Sequence, residues 1–243
     1  MKKIFITAIT CIACITFVKA QTAKGNLFVG TSLGAASYTA INNNYVFSDG
    51  NTEQQNEKNY DLNIDPTYGV FLTDHLVLGG MLILDYNHDQ TDIANYETAS
   101  NSTNTVINTQ FRIGPFVRYY FFDSKPSNTL FYIQGEAALG TGGGSSSGSG
   151  SNASSSYVST GKISGLFSYS GGGAVGITHF VQRNLGLDIS LGYDYIHEHY
   201  TDDYNTATTN TSTGIVKNPL YSAGVRSISN GITLSVGFHY FIR

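Results

Sequence analysis

The feature that most constrains this chain is a period-two alternation of apolar and polar residues, repeated in eight segments of about ten residues. In NLFVGTSLGAAS, Leu27, Val29, Thr31 and Leu33 take one face, while Gly30, Ser32 and Gly34 take the other. The same pattern runs through YDLNIDPTYGVF, HLVLGGMLILDYN, VINTQFRIGPFVRYYF, LFYIQGEAALG, FSYSGGGAVGIT, LGLDISLGYDY and GITLSVGFHYFI. Side chains point to opposite faces at successive strand positions, so the pattern predicts eight strands, each with one apolar and one polar face.

The connections between these segments alternate in length. Leu72 to His75, Phe122 to Asn128 and Phe180 to Asn184 are short, whereas Thr39 to Asn59, His88 to Asn104, Thr141 to Lys162 and His197 to Pro219 are long. In an antiparallel up-and-down sheet the long connections share one rim and the short turns the other, the signature of outer-membrane barrels. The third long connection overlaps GTGGGSSSGSGSNASSSYVSTG, Gly140 to Gly161, whose composition predicts a flexible, wet surface loop. Parity fixes the first short turn. A two-residue turn would put Val70 on the same face as Val77 rather than Leu78, so a three-residue turn, Thr73-Asp74-His75, is expected.

A soluble sandwich also alternates, but its outer face carries charge. Here only 12% of residues are charged, and the polar faces are rich in Gly, Ser and Ala. Small residues suit the interior of a narrow closed barrel, and closure is the way strands satisfy their backbone groups in a bilayer. The aromatics fall near strand ends. Tyr38, Tyr86, Tyr169, Tyr193 and Tyr195 lie toward the long-loop rim, and Tyr68, Tyr119, Phe121, Phe131 and Tyr240 toward the turn rim, as two interfacial girdles. The expected fold is therefore an all-β, eight-stranded, antiparallel up-and-down transmembrane barrel. Leu78, Phe111, Val175 and Leu234 are assigned to its lipid face near mid-membrane.

The first residues, MKKIFITAITCIACITFVKAQ, read as a secretory signal peptide spanning residues 1–20, cleaved after Ala20, with 21–243 as a single barrel domain. A lipoprotein signal ending before Cys14 is the competing reading. Both cysteines, Cys11 and Cys14, precede Ala20, so the mature chain holds no disulfide. Without Lys2, Lys3 and Lys19, the 13 basic residues fall to 10 against 17 acidic ones, a net charge of −7. No basic stripe suggests nucleic acid.

FLTDHLVLGG, IGPFVRYYF, NLGLDISLGYDY and the closing alternation up to HYFIR resemble the small eight-stranded outer-membrane barrels of the OmpA/OmpX type, in the "outer membrane protein β-barrel domain" (porin-family) form common in Bacteroidetes-like bacteria. The resemblance covers essentially the whole mature chain. It implies a monomer in the cell outer membrane, inserted by the barrel assembly machinery, surrounded by outer-membrane lipid, with both termini in the periplasm. The function it implies is envelope integrity, or surface interaction with an extracellular ligand through the loops. A narrow channel or conduit for small or apolar solutes is the alternative.

No cofactor is expected. His197 and His199, in HEHYTDD, share a strand face next to Asp202 and Asp203, but no third ligand is fixed, so they are read as polar loop residues rather than a metal site. No strand carries a compact His/Ser pairing, so no catalytic residue is assigned and the chain is not read as an enzyme. The residues singled out are inward charges: Arg112, Arg118, Glu136, Asp85, Asp188 and Asp194, candidates for ion pairs inside a plugged lumen. Cross-strand spacing predicts an Arg118–Glu136 contact and puts Asp85 near the height of Arg112. Gln134 and Glu136 are expected to face Gly30, Ser32 and Gly34 across the barrel.

Overall fold

The computed structural model describes residues 22–46, 52–95, 100–121, 128–210, 212–214, 216–217 and 219–242; the signal segment expected at 1–20 lies outside them. Its elements are β1 (Leu27–Val46), β2 (Thr52–Phe71), β3 (Leu76–Asn95), β4 (Ser100–Phe121), β5 (Thr129–Ser151), β6 (Ser155–Gln182), β7 (Leu185–Asn210), β8 (Val216–Lys217) and β9 (Leu220–Ile242). Each strand is antiparallel to its neighbours, including the two-residue β8, which pairs with Thr208 and Thr209 of β7. β1 through β7 pair in sequence, β7 pairs with β9, and β9 returns to β1, closing an eight-stranded ring.

The faces follow the alternation. Leu78, Leu84, Phe111, Ile113, Val117, Ile133, Leu139, Val175, Leu187, Ile189 and Val236 are exposed on the outside, whereas Arg112, Arg118, Asp188 and His239 are buried inside. An apolar exterior around a polar, filled interior is a membrane-spanning barrel, in which lipid takes the place of a dry core. Tyr119, Phe121, Phe131 and Tyr240 are exposed at the turn end, and Tyr60, Tyr86, Tyr169, Tyr193 and Tyr195 at the far end of the belt. The chain between Phe71 and Leu76 makes the three-residue turn that parity demands. Leu72 N donates to Leu76 O at 2.8 Å, leaving Thr73, Asp74 and His75 as the loop, and Val70 lies opposite Leu78.

The long connections differ from expectation. They are mostly strand: a tilted strand needs about 9–11 residues to cross a bilayer, and β1 to β7 and β9 run for 20 to 28. The excess projects beyond the aromatic girdle as a crown of sheet. The Gly/Ser stretch is part of it. It pairs on one side with the Asn/Thr/Ser-rich start of β4, from Asn101↔Ser151 to Arg112↔Gly140. On the other side it folds back as a hairpin up to Ser151↔Ser156. Only Asn152-Ala153-Ser154 turns, with Asn152 Oδ1 accepting from the backbone N–H groups of Ser154 and Ser155 at 2.9 and 2.8 Å. Composition disfavours this strand, but backbone pairing on both edges outweighs propensity.

The upper rungs of this hairpin carry no charged inward group, which makes it removable. Deleting 147–160 and joining Ser146 to its partner Gly161 through an Asn-Gly turn is expected to leave a barrel with the compact mobility of the wild type on an unheated gel. A variant running only as the unfolded band would show that the crown holds the ring closed.

Candidate functional site

The alternation breaks down near the turn end, where inward positions also become apolar. Phe28, Phe71, Val77, Phe116, Tyr120, Leu130, Tyr132, Phe180 and Phe241 are all buried there, forming one cluster across the base of the lumen. Phe28 packs against Phe71, Phe116 and Phe241 with ring centroids 6.5, 5.8 and 5.6 Å apart. Such contacts are edge-on or tilted, the arrangements aromatic quadrupoles favour.

One ion pair sits on this aromatic floor. Arg118, with a side chain only 5% exposed, donates from Nη1 to Asp188 Oδ2 at 2.5 Å and from Nε to Gln134 Oε1 at 2.7 Å. Its guanidinium lies 3.9 Å from the centre of the Tyr132 ring and 5.0 Å from that of Phe28. His239 Nδ1 is 3.0 Å from the same Asp188 oxygen, and its ring stacks on Phe28 at 4.3 Å. A buried cation is costly unless paired and hydrogen-bonded, and here strands β4, β5 and β7 supply those partners through the Tyr120 hydroxyl, Gln134 and Asp188. The floor is therefore both apolar and electrostatically locked.

Arg118 pairs with Asp188 rather than with Glu136. Gln134, directly opposite Arg118, occupies the cross-strand position, and its Nε2 donates onward to Glu136 Oε2 at 2.7 Å. The arginine instead reaches three strands around the lumen. Arg112 donates to Asp85 Oδ2 from Nη2 at 2.7 Å and from Nε at 3.1 Å. Asp194 accepts from the Thr233 hydroxyl at 2.6 Å. Ser32 and Gly34 line the same lumen cavity as Gln134 and Glu136, while a Cβ at Gly30 would fall 2.1 Å from His239 Cδ2, and one at Gly34 2.4 Å from Asn63 Oδ1. These glycines make room for neighbouring strands, because side chains lean along the wall as well as across it.

Gly140 explains part of the Gly-rich run. A Cβ there would lie 2.2 Å from Arg112 Cγ, so the arginine stem lies over this bare backbone. Gly140→Leu is expected to push Arg112 off Asp85 and to cost about 1–3 kcal/mol as an overpacking substitution, read by urea unfolding in bilayers. Gly135→Ala, whose Cβ would meet only Val117 Cγ1 at 3.8 Å, is the control and should be near neutral. Equal effects at the two sites would remove the argument.

Above the floor lies a cavity of about 430 Å³, lined by Asp61, Asp65, Asp85, Arg112, Glu136 and Asp194 among others. Along the β4–β7 wall Arg112, Leu166 and Ser168 are buried, and Gln110 Nε2 donates to Glu198 Oε1 across two intervening strands. On the β1–β9 side the wall is incomplete. β1 pairs with β9 only from Leu27↔Ile242 to Leu33↔Val236. Beyond a bulge between Leu33 and Ala36, β1 continues on β2 alone, while β9 continues on β7 alone as far as Leu220↔Asn205. The opening starts below the upper girdle, because Tyr60 lies opposite Tyr38 of β1 and Tyr193 opposite Ile232 of β9. Ser229, Asn230, Gly231, Ile232 and Thr233 of β9 line both the seam and the cavity. Unpaired backbone at membrane depth is tolerated where it lines a wet cavity, which this seam does.

At the girdle and just below it, inward Asn and Asp side chains of β2 and β3 pair across the strands, with Asn63 Nδ2 donating to Asp85 at 2.5 Å and Asn87 Nδ2 to Asp61 at 2.6 Å. Partial burial, and then the nearby Asp61, raise the Asp89 carboxyl above its ordinary range. His197 stacks on Tyr169 at 4.7 Å, and His199 Nδ1 is 3.1 Å from Val225 O. Among the described residues, no group of three or more His, Cys, Asp or Glu is placed to hold a metal ion.

The closed ring, lipid-facing belt and polar lumen define the class: a small β-barrel of the outer-membrane type. No protein-family model matches the chain, and no curated protein matches it. Among solved structures it is similar to the outer membrane protein OprG from Pseudomonas aeruginosa, at 11% identity over 93% of this chain and 100% of that one, with a TM-score of 0.49. Neisserial surface protein A is 17% identical over 88% of this chain and 95% of that one, with a TM-score of 0.32. The outer membrane protein AlkL, determined in DMPC bilayers, is 10% identical over 91% and 92%, with a TM-score of 0.34.

Proposed function

We propose that this protein is a monomeric outer-membrane barrel that binds at the cell surface and does not conduct. Its turn end and termini lie in the periplasm after removal of the leader, and its crown faces outward. The observation that carries the reading is the floor: Arg118, Asp188 and His239 are buried and committed to one another among closely packed rings. A cavity closed below and open above and to the side is a receptacle rather than a pore. The crown supplies the surface for interaction, in place of flexible loops. The role is a non-enzymatic one in envelope integrity or surface interaction, with insertion by the barrel assembly machinery.

Single-channel recording tests it. The purified protein in planar bilayers is expected to show no steady large conductance, and liposomes containing it should retain small sugars. A steady ohmic current with free sugar flux would overturn the reading in favour of a channel.

A further inference from the structure

The lateral seam and the charge behind it name a ligand class. This step rests on the receptacle reading above. The seam opens in the outer half of the bilayer, between the Leu33↔Val236 rung and the upper girdle. Its outer lips are apolar: on β9 Ile232 is 77% exposed and Leu234 65%, and Leu33 of β1, at the foot of the seam, is 49% exposed. Behind them the cavity is acidic, with six lining carboxylates (Asp61, Asp65, Asp85, Glu136, Asp188 and Asp194) against two lining arginines.

Both arginines are already taken, Arg112 by Asp85 and Arg118 by Asp188. The other four carboxylates have hydrogen bonds from uncharged donors: Asn87 to Asp61, Ser32 to Asp65, Gln134 to Glu136 and Thr233 to Asp194. Asp65 Oδ1 is buried with no hydrogen-bond partner. Two of the carboxylates stand one strand behind the seam: Asp65 lies opposite Ser32 of β1, one rung below the last β1–β9 pair, and Asp194 opposite Gly231 of β9, within the gap. Within low-dielectric walls, this uncompensated negative charge favours a cation and opposes an anion.

We propose that the cavity is a binding site for the ammonium head of a cationic amphiphile, which enters sideways through the β1–β9 seam and leaves its alkyl chain in the outer leaflet against Leu33, Leu234 and Ile232. Access from the bilayer follows from the depth of the gap, and the positive head from the carboxylate excess. An anionic lipid head would meet repulsion at the same place.

The chain contains no tryptophan, so a single introduced Trp is a clean reporter. Ile232→Trp places it on the lip of the seam, and Ile133→Trp on the lipid face of β5, away from the seam. In uncharged dodecyl maltoside micelles, a doxyl-labelled dodecylammonium should quench the Ile232→Trp protein at a mole fraction about ten-fold lower than a doxyl-labelled dodecyl sulfate, equivalent to about 1.4 kcal/mol. Ile133→Trp should be quenched by both alike. Adding D65N, E136Q and D194N to the Ile232→Trp protein should abolish the preference; D194N alone, which removes one charge, should reduce it if the triple variant does not fold. Equal quenching by cation and anion at the lip, or a preference that survives neutralisation, would overturn the proposal. Failure of the receptacle reading is seen separately, as steady current through the unlabelled protein, so the two can fall independently.

Discussion

Asp188→Ala is expected to cost about 3–5 kcal/mol of stability, the penalty for stranding one partner of a buried ion pair. Asp188 is 3% exposed, and among the described residues its Oδ2 is the only carboxylate oxygen bonded to Arg118, a residue itself 5% exposed. Without it the guanidinium keeps Gln134, the Tyr120 hydroxyl and two ring faces. These are uncharged, and water has little access to replace the lost anion. The second half of the expectation is a rescue. Arg118→Met combined with Asp188→Leu removes both charges and should recover most of the loss, since a well-packed apolar pair often matches a buried ion pair in stability. Urea-induced unfolding in lipid vesicles reads both variants, and planar bilayers should register flickering current from the single variant as the floor loosens. A loss below about 1 kcal/mol for Asp188→Ala, or a double variant as unstable as the single one, would show that the pair does not lock the floor.

That contact was out of reach of the sequence for a definite reason. Alternation assigns each residue to a face, so Arg118, Glu136 and Asp188 could all be placed inward, but it does not say which inward residue lies across the lumen. Cross-strand spacing offered Glu136 as the neighbour, and Gln134 occupies that place. The aromatic floor left a readable trace: in YYF, LFYI and YFI, both parities are apolar or aromatic, and such a stretch has no polar face left for a wet lumen. The three-residue first turn was legible because parity is an integer constraint. The ordered Gly/Ser hairpin was not, because its order comes from β4 and from its own return strand, not from its composition. The seam was hidden for a similar reason: Leu33 and Val236 look like any other outward pair, and only the three-dimensional register shows that pairing ends there.

The seam changes what a charge on the lipid face should cost. Val175, Leu191 and Leu234 lie side by side on one rung across β6, β7 and β9, and Val175 and Leu234 are both well exposed. Arg at Val175 has paired wall on either side and only lipid to face, so it should cost about 2–4 kcal/mol, as at other midplane positions of such barrels. Leu234 is different. Its strand has no β1 partner above the Val236 rung, and the neighbouring Thr233 hydroxyl already donates to Asp194 in the cavity. An arginine there can turn through the gap and place its guanidinium near that carboxylate while its aliphatic stem stays in lipid. Leu234→Arg is therefore expected to cost less than half as much as Val175→Arg, and Asp194→Asn should remove the difference. The comparison needs unfolding curves in one bilayer for the parent and the two Arg variants, each with and without Asp194→Asn. Equal costs at the two positions would mean that the wall is closed at Leu234 and that the cavity opens only toward the crown.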